Sequence, residues 1–246
     1  MCKIIVVTLL FLLGCCHGNE LAEYIKPCNK SDPYINVCIR NSFNHLKNYL
    51  PNGISELNVP PLEPLIIDEL VMENNAGAIR VKAKFSSIIA KGASNYVVKE
   101  VRSDITKLRF DLSLGLPLVE VFGKYDVNGN VLLLPVRSNG NFWAEFGNVT
   151  TVARVYGVEK IKNGIKVLHI GKLAIDFSLK HVKLRVEDTI NSGNILGEAI
   201  NQFLNVNAQE LVKEMKPAAS RSIAKLFQKI LNNAFSKIGM DDWLHQ

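Results

Sequence analysis

Two hydrophobic periodicities divide the chain. Between residues 77 and 186, apolar residues mostly alternate with polar ones, whereas from residue 195 to 238 they recur every three to four positions. A period of two predicts β-strands with one buried face, and the longer spacing predicts amphipathic helices. The chain is therefore predicted to be α+β, with a β-rich middle and a helical C-terminal part.

Short turns join the predicted strands. Asn128-Gly129 is typical of a type I′ hairpin turn, and Lys162-Asn163-Gly164 predicts a second turn. Consecutive strands joined by such turns form an antiparallel meander. Several strands exceed the usual five or six residues, and long strands coil, so we expect a strongly curved sheet.

The alternation changes phase late in the β-rich region. Ile175 and Phe177 share one face, whereas Val182 and Leu184 occupy the other set of alternate positions. One inserted residue would return both pairs to the same face, so we expect a β-bulge near Lys180–His181.

The helical patterns lie at the two ends of the mature chain. Residues 35–50 predict a short helix that ends at Pro51-Asn52-Gly53. Residues 207–238 predict one helix of about 48 Å, capped by Asn207 with Glu210 and kinked at Pro217. So long a helix needs a long partner surface. The predicted fold is a long C-terminal α-helix wrapped by a long, strongly curved antiparallel β-sheet.

The first 18 residues have the pattern of a secretory signal peptide. Lys3 precedes the apolar run Ile4–Leu13, and small residues follow up to Gly18. The run is shorter than the roughly 20 residues that span a bilayer, although an uncleaved anchor is the alternative. We expect cleavage after Gly18, a single domain over residues 19–246, and an extracellular location.

Cleavage would leave two of the five cysteines, Cys28 and Cys38. They could be metal ligands, a reactive pair or a disulfide. Zinc would need further ligands, but the nearest histidine, His45, has no partner at a suitable spacing, and no CxxC motif is present. In an oxidising compartment the pair predicts a disulfide that closes an 11-residue loop.

The composition is that of an ordinary globular protein, with 48% hydrophobic and 21% charged residues. The net charge of +6 becomes +5 after loss of Lys3, with 28 basic against 23 acidic residues. The basic residues alternate with apolar ones, which is typical of solvated strand faces rather than of a nucleic-acid or membrane patch. Sequons at Asn29 and Asn148 predict glycosylation and agree with secretion.

No catalytic motif stands out. The chain lacks a GxSxG elbow, an HExxH motif, a P-loop and a GxGxxG loop. Four histidines remain after cleavage, and none has metal-ligand spacing to another; they are His45, His169, His181 and His245. A catalytic triad built from distant residues is the open alternative. We expect no enzyme activity, no cofactor and no metal.

Several motifs, in order along the chain, resemble those of one family. Cys28-(x9)-Cys38 comes first, followed by Gly53–Leu57 (GISEL) and Val59–Pro64 (VPPLEP), and later by Asn191–Gly197 (NSGNILG). Together with the Pro217-containing helix, they are similar to the takeout and haemolymph juvenile-hormone-binding proteins of insects. The family motif has proline where this chain has Ser55, and the final GMDDWL is only loosely similar.

The resemblance implies a super-roll of the lipid-binding-module kind, with an internal tunnel for juvenile hormone, another terpenoid or a fatty lipid. It also links relatives to circadian output, feeding or chemosensation. Our candidate lining residues are large apolar side chains, each of which has ordinary core packing as its alternative: Phe85, Phe110, Phe122, Trp143, Phe177, Phe203, Met215 and Phe227. Phe122 alternates out of phase with Val119 and Val121. The polar group that orients a ligand could be Tyr96, Tyr125, Tyr156 or His169.

The predicted function is that of a secreted, monomeric carrier for an elongated hydrophobic small molecule. We expect no nucleic-acid partner and no stable membrane insertion. The alternative is an extracellular lipid-surface or protein-interaction module without a filled cavity. The sequence identifies neither the ligand nor a receptor.

Overall fold

A computed structural model describes residues 23–131, 134–188 and 194–246; the predicted signal peptide lies outside these ranges. The helices are α1 (Ile35–Leu46), α2 (Asn194–Val206), α3 (Ala208–Phe235) and α4 (Met240–Trp243). The strands are β1 (Cys28–Asn29), β2 (Leu65–Asn74), β3 (Ile79–Lys91), β4 (Val97–Asp104), β5 (Arg109–Val131), β6 (Leu134–Lys162), β7 (Ile165–Ser178), β8 (His181–Asp188) and β9 (Leu244–His245). Two short 3₁₀ turns cover Ser55–Leu57 and Ala93–Asn95.

Within the described ranges, seven strands form one open antiparallel sheet. Its main path runs β2-β3-β5-β6-β7, with β4 beside β5 and β8 beside β6. Strands β5 and β6 have 23 and 29 residues, several times the usual strand length. Strands this long must coil, and the predicted α+β fold with a curved antiparallel sheet and a long C-terminal helix is confirmed.

The sheet consists of two halves that share β5 and β6. In the disulfide half, β4 pairs with residues 109–115 of β5, and β7 pairs with residues 150–162 of β6. In the far half, β3 pairs with residues 120–131 of β5, and β8 pairs with residues 140–147 of β6. We call the junction, residues 117–118, 147–148 and 179–180, the seam.

The seam is where the sheet changes the phase of its inner face. Leu112 and Val121 are an odd number of residues apart on β5, yet both belong to apolar clusters that include Phe227 of α3. Asn148 has a left-handed φ of 51°, which asparagine tolerates better than most residues. This turn of the backbone exchanges the inner and outer positions.

The predicted bulge near Lys180–His181 is wrong. Pairs Thr150–Ser178 and Gly147–His181 are three residues apart on both strands, so no residue is inserted between them. Instead, β7 and β8 are separate strands that follow each other along β6. The change of phase was detected correctly in the sequence, but its cause is the seam.

The two Asn-Gly pairs that predict turns between strands behave differently. Asn163 and Gly164 form the tight turn between β6 and β7, with φ of 51° and 79°, as predicted. The hairpin turn predicted at Asn128-Gly129 is wrong, because both residues lie inside β5 and pair with β6. A Cβ on Gly129 would lie 2.2 Å from the carbonyl oxygen of Arg80 on β3. Glycine is needed there for close strand approach.

Helix α3 lies across the sheet and bonds to both of its edges. Ser222 Oγ donates to the Val71 carbonyl of β2, 2.5 Å away. On the opposite edge, Lys216 Nζ lies 2.6 Å from Asp176 Oδ1 of β7. The sheet therefore curls around the helix, and the helix joins two strands that are not neighbours in the sheet.

Helix asparagines cover the free edges of the sheet. Each binds both the N–H and the carbonyl of one strand residue, as Asn232 does with Ile170 at 2.8 and 3.1 Å. The same double contact joins Asn44 to Val98, Asn201 to Val186 and Asn205 to Leu184. Such contacts satisfy backbone groups at the sheet edge, which would otherwise be free to pair with a strand of another chain.

Asn207 occupies the predicted start of α3, but the predicted capping box is wrong. The Asn207 side chain makes no capping bond to α3. Its Nδ2 donates instead to the Phe203 carbonyl of α2 at 2.8 Å. The asparagine thus joins the two helices, and Pro217 lies inside α3.

Residues near the first and last described positions meet in the disulfide half. Cys28 and Cys38 form a disulfide, and β1 pairs in parallel with β9 next to it. Cys28 and Leu244 are 1% and 0% exposed and belong to the largest buried cluster. The bridge therefore holds α1 and the C-terminal segment together.

Candidate ligand-binding interior

The side of α3 that meets the sheet combines small buried residues with larger ones that stay accessible. Its fully buried residues are all alanines, namely Ala208, Ala218, Ala219, Ala224 and Ala234. The larger side chains of Leu211, Met215, Ile223 and Phe227 are only partly buried. Alanine lets the helix approach the sheet closely, whereas the larger side chains keep some accessible surface.

Burial along the inner face of β5 is uneven. Phe110 and Leu112 are each 5% exposed and belong to the largest buried cluster. The next inward residues, Leu114, Leu116 and Val119, are only partly buried. Further along the strand, Tyr125 is again buried. Close-packed cores leave apolar side chains little accessible surface, so the inner face is packed least closely in the middle of β5.

Aromatic side chains continue this inner surface in the far half. The rings of Phe85 and Phe142 meet edge to face at 5.1 Å between centroids. Both are only partly buried, as is Phe146 on β6. Phe142 pairs with Val186 of β8, the strand that α2 covers through Asn201.

Four of the predicted lining residues are partly buried. They are Phe85, Phe177, Met215 and Phe227. Phe177 lies beneath Lys216 Nζ, which is 5.9 Å from its ring centroid. These four residues come from β3, β7 and α3.

Two other predicted residues have contrasting burial. Phe110 is buried in the largest cluster, in the disulfide half. Phe203 on α2 is 50% exposed.

Phe122 and Trp143 lie on the outer face of the sheet. They belong to a transverse row of paired residues, Ile66, Ile89, Phe122, Trp143 and Arg185. Ile66 and Ile89 are 57% and 39% exposed, which identifies the row as outward. Together with Lys124 and Glu187, part of the row borders a shallow hollow of about 370 Å³.

Two of the predicted polar groups are engaged in the structure. Tyr96 Oη donates to the Phe43 carbonyl at 2.6 Å, and burial raises the pKa of the Tyr96 phenol. Tyr125 Oη lies 2.8 Å from Ser138 Oγ. These bonds fix both hydroxyls to the protein.

The other two polar candidates differ in exposure. The Tyr156 ring lies on the exposed surface, 5.5 Å from the Arg109 guanidinium and 5.8 Å from Lys172 Nζ. His169 is partly buried on β7.

Sequence reasoning missed Trp243. Its indole contacts Phe110 and Phe235, with centroid distances of 5.9 and 5.5 Å. The residue belongs to a four-residue helix near the C-terminus, a segment too short for a periodic signal. Its isolated aromatic character within GMDDWL was the only signal available.

The two predicted glycosylation sites differ in their surroundings. Asn148 is exposed at the seam. Asn29 is partly buried within the disulfide loop, and its Oδ1 accepts a 2.7 Å bond from the Ser31 N–H. Glycosylation stays a prediction for both residues.

Across residues 23–131, 134–188 and 194–246, no group of three or more His, Cys, Asp or Glu side chains has an arrangement suited to a metal ion. In the same ranges, every helix is too short or too polar to cross a bilayer.

Comparison with solved structures places this fold beside a moth protein. The crystal structure of Takeout 1 from Epiphyas postvittana superposes with a TM-score of 0.74. The match covers 90% of this chain and 100% of the moth chain, at 19% sequence identity. At this identity the similarity shows the fold alone.

Sequence comparison finds relatives in flies. The circadian clock-controlled protein daywake of Drosophila melanogaster is 26% identical over 204 residues, covering 79% of this chain and 78% of the fly protein. Daywake of Drosophila yakuba is 28% identical over 200 residues, covering 78% and 76%.

The family assignment rests on nearly the whole chain. The sequence profile of haemolymph juvenile hormone binding protein matches residues 5–245. This is a family of binding proteins for hydrophobic ligands, and its profile includes both the disulfide half and the far half. The chain belongs to the haemolymph juvenile hormone binding protein family.

Proposed function

We propose that this protein is a secreted carrier that holds one elongated hydrophobic molecule between the curved sheet and α3. One observation carries the proposal: the large inward side chains of α3 stay partly accessible, while its fully buried residues are alanines. The helix is held close to the sheet at its alanines, and the larger side chains then flank a space along its length. Phe85, Phe177, Met215 and Phe227 form its proposed lining.

Transfer of apolar surface out of water drives binding in this proposal. Each methylene group buried by the protein contributes about 0.8 kcal/mol. A chain of ten or more methylenes therefore supplies enough gross free energy for tight binding, even after the cost of association. Selectivity would follow from the length and width of the space rather than from many polar contacts.

The extracellular location and the clock-related role belong to the same proposal. The family is named after proteins of the haemolymph, and the predicted signal peptide would export the chain. Two relatives are named as circadian clock-controlled proteins. We infer a circulating, monomeric carrier whose abundance follows the daily cycle, which transcript and protein sampling over 24 hours would test.

The binding test compares two tryptophan substitutions. Met215→Trp adds bulk inside the proposed space, and Ile161→Trp adds the same ring at a position that is 77% exposed. Purified wild type and both variants are stripped of lipid and titrated with a fluorescent fatty acid. We expect one binding site in wild type and Ile161→Trp, and at least tenfold weaker binding in Met215→Trp.

Extraction of the untreated protein gives a second readout. Mass spectrometry is expected to detect a hydrophobic molecule at close to one per chain. A stripped wild-type protein that takes up neither the fatty acid nor any member of a panel of juvenile hormones, quinones and hydrocarbons would refute the carrier proposal.

A further inference from the structure

The hairpin that joins β6 to β7 extends beyond the end of β5. The last pair between β5 and β6 is Arg109–Tyr156, whereas β6 and β7 continue to pair as far as Lys162–Ile165. At about 3.4 Å per residue, the chain from Tyr156 to Lys162 reaches about 20 Å past the first residue of β5. We call residues 158–166 the hairpin tip. All nine of its residues are exposed.

The hairpin tip carries large apolar side chains in contact with solvent. Ile161 is 77% exposed, the highest value for a large apolar residue in the described ranges, and Ile165 and Val158 are 57% and 49% exposed. Ile161 pairs with Lys166, and Ile165 pairs with Lys162 in the next row. Successive rows point to opposite faces, so the two isoleucines lie on opposite sides of the tip. The alternation of lysine and isoleucine thus has no buried face here, and grouped exposed apolar side chains indicate an interaction site.

The hairpin tip is also basic. It contains Lys160, Lys162 and Lys166, against the single acidic residue Glu159. Lys166 Nζ lies 3.8 Å from Glu159 Oε2. Within the described part of the chain, neither Lys160 nor Lys162 belongs to an ion pair. Two positive charges therefore remain for a partner.

An aromatic ring and further cations lie at the base of the tip. The Tyr156 ring is 36% exposed, with the Arg109 guanidinium and Lys172 Nζ at 5.5 and 5.8 Å from its centroid. Arg109 also pairs with Asp111 at 2.8 Å. Next to β7, the Asp242 carboxylate accepts a 2.8 Å bond from the backbone N–H at the start of α4. Tyrosine and basic side chains are typical of the headgroup level of a membrane.

We propose that the hairpin tip docks on a lipid membrane with negatively charged headgroups. Ile161 and Ile165 enter the outer part of the acyl region, one from each side of the tip, while Lys160 and Lys162 bind phosphates above it. Lysine suits this role because its stem is apolar and its ammonium group reaches the headgroups. A protein partner fits less well, since it would have to cover both faces of one narrow hairpin.

The apolar contacts are tested by one change at two equally exposed positions. Ile165→Glu alters the hairpin tip, and Ile66→Glu alters the outer face of the far half; both isoleucines are 57% exposed. The mature protein and both variants are mixed with protein-free vesicles of phosphatidylcholine and phosphatidylserine, and bound protein is separated by flotation. We expect Ile165→Glu to weaken binding about tenfold and Ile66→Glu to leave it within twofold of wild type.

The basic contacts are tested by removing equal charge from two places. Lys160→Gln/Lys162→Gln acts at the tip, and Lys82→Gln/Lys124→Gln acts on exposed lysines of the far half. Both double variants lower the net charge by two, so a non-specific attraction to anionic lipid would weaken equally in both. We expect only the first to lose binding, by about tenfold. Wild type should bind vesicles of phosphatidylcholine alone about tenfold more weakly than the anionic vesicles.

Two results would overturn the proposal directly: no flotation of wild type with the anionic vesicles, or equal losses in the tip variants and their controls. Binding to cell membranes that keep their proteins, without binding to protein-free vesicles, would overturn it in favour of a protein partner. The inference does not depend on the carrier function, because the hairpin tip contains none of the proposed lining residues. Ligand binding is titrated without vesicles, so the two proposals fail separately.

A second measurement does not depend on a charged substitution. Ile165→Cys or Ile66→Cys carries a fluorophore whose emission moves to shorter wavelength in apolar surroundings, while Cys28 and Cys38 stay joined in the disulfide. With anionic vesicles, emission from position 165 should shift and emission from position 66 should not. Equal shifts at both positions, or no shift at position 165, would contradict docking through the hairpin tip, even if Ile165→Glu failed to fold.

Discussion

The two halves of the sheet have similar strands and different interiors. In the disulfide half, Phe110, Leu112 and Ile170 are at most 5% exposed and share one cluster with the bridge and the C-terminal segment. In the far half, the inward rings of Phe85 and Phe142 remain partly accessible although they face the helix side. The disulfide half contains the largest buried cluster, whereas large inward rings of the far half keep some accessible surface.

This difference shows how one sheet can provide both stability and binding. Covalent and terminal restraints are concentrated in the disulfide half, where a close-packed core can form without a ligand. Asn201 and Asn205 hold α2 to β8 in the far half mainly through polar contacts. In the carrier proposed above, bound ligand would add stability to this half.

The largest expected effect separates the two interiors directly. Phe110→Ala should lower the free energy of unfolding by about 4 kcal/mol, because it opens a cavity in a closed core. Phe142→Ala should cost about 1–2 kcal/mol, since its ring already borders accessible space. Chemical denaturation of the stripped proteins measures both. Equal losses would remove the distinction between the halves.

Removal of the disulfide should weaken only one half. Replacing both Cys28 and Cys38 by serine should cost about 3 kcal/mol through the freed 11-residue loop. Hydrogen exchange should increase in α1, α4 and β9 and stay unchanged in β8. The ligand preference should also be unchanged; an altered preference would show that the loop forms part of the binding site.

Gly129 tests how tightly the far half is fixed, and Gly164 in the disulfide half serves as the comparison. Gly129→Ala should cost about 2–3 kcal/mol, because a Cβ there would collide with the β3 backbone. Gly164→Ala has nothing within 4 Å of its Cβ and should cost only about 1 kcal/mol, from its left-handed φ. Melting temperatures of the two variants give the comparison. A smaller effect at Gly129 would mean that β3 and β5 separate easily.

Removal of the asparagine contacts should give the smallest losses of unfolding free energy. The loss should again be larger in the disulfide half than in the far half. Asn232→Ala leaves the N–H of the fully buried Ile170 unpaired, while Gln228 Nε2 still donates to the Ile170 carbonyl, and the change should cost about 2 kcal/mol. Asn205→Ala exposes the edge at Leu184 to water and should cost less than about 1 kcal/mol. Thermal unfolding checks the order, and the reverse order would contradict the assigned burial.

Periodicity predicted the fold well and the site less well. Alternation and helical spacing depend on one chain segment at a time, so the strands around Phe110 and the long α3 were found correctly. The position of the seam depends on where neighbouring strands end, and the need for glycine at position 129 depends on how closely β3 approaches. Neither can be deduced from a short stretch of sequence, so the Asn128-Gly129 pattern predicts a turn that the fold does not contain.

Whether an apolar strand residue faces the interior depends on the phase of the alternation, and inner and outer positions are exchanged at the seam. Phe122 was already out of phase with Val119 and Val121, and it lies on the outer face beside Trp143. The packing of Trp243 likewise depends on β5, α3 and α4, which meet only in the folded chain. Sequence alone identifies the apolar residues, whereas the fold decides which of them face the interior.

The central claim is that a ligand lies inside the sheet, beyond the closed core. Its most direct test is photolabelling of the stripped protein with a long-chain fatty acid that carries a diazirine at its methyl end, followed by peptide mapping. The account predicts one label per chain, on inner residues such as Phe85, Phe142 or Met215. Labels confined to Ile66, Ile89 or Trp143 on the outer face, or no saturable labelling, would contradict it.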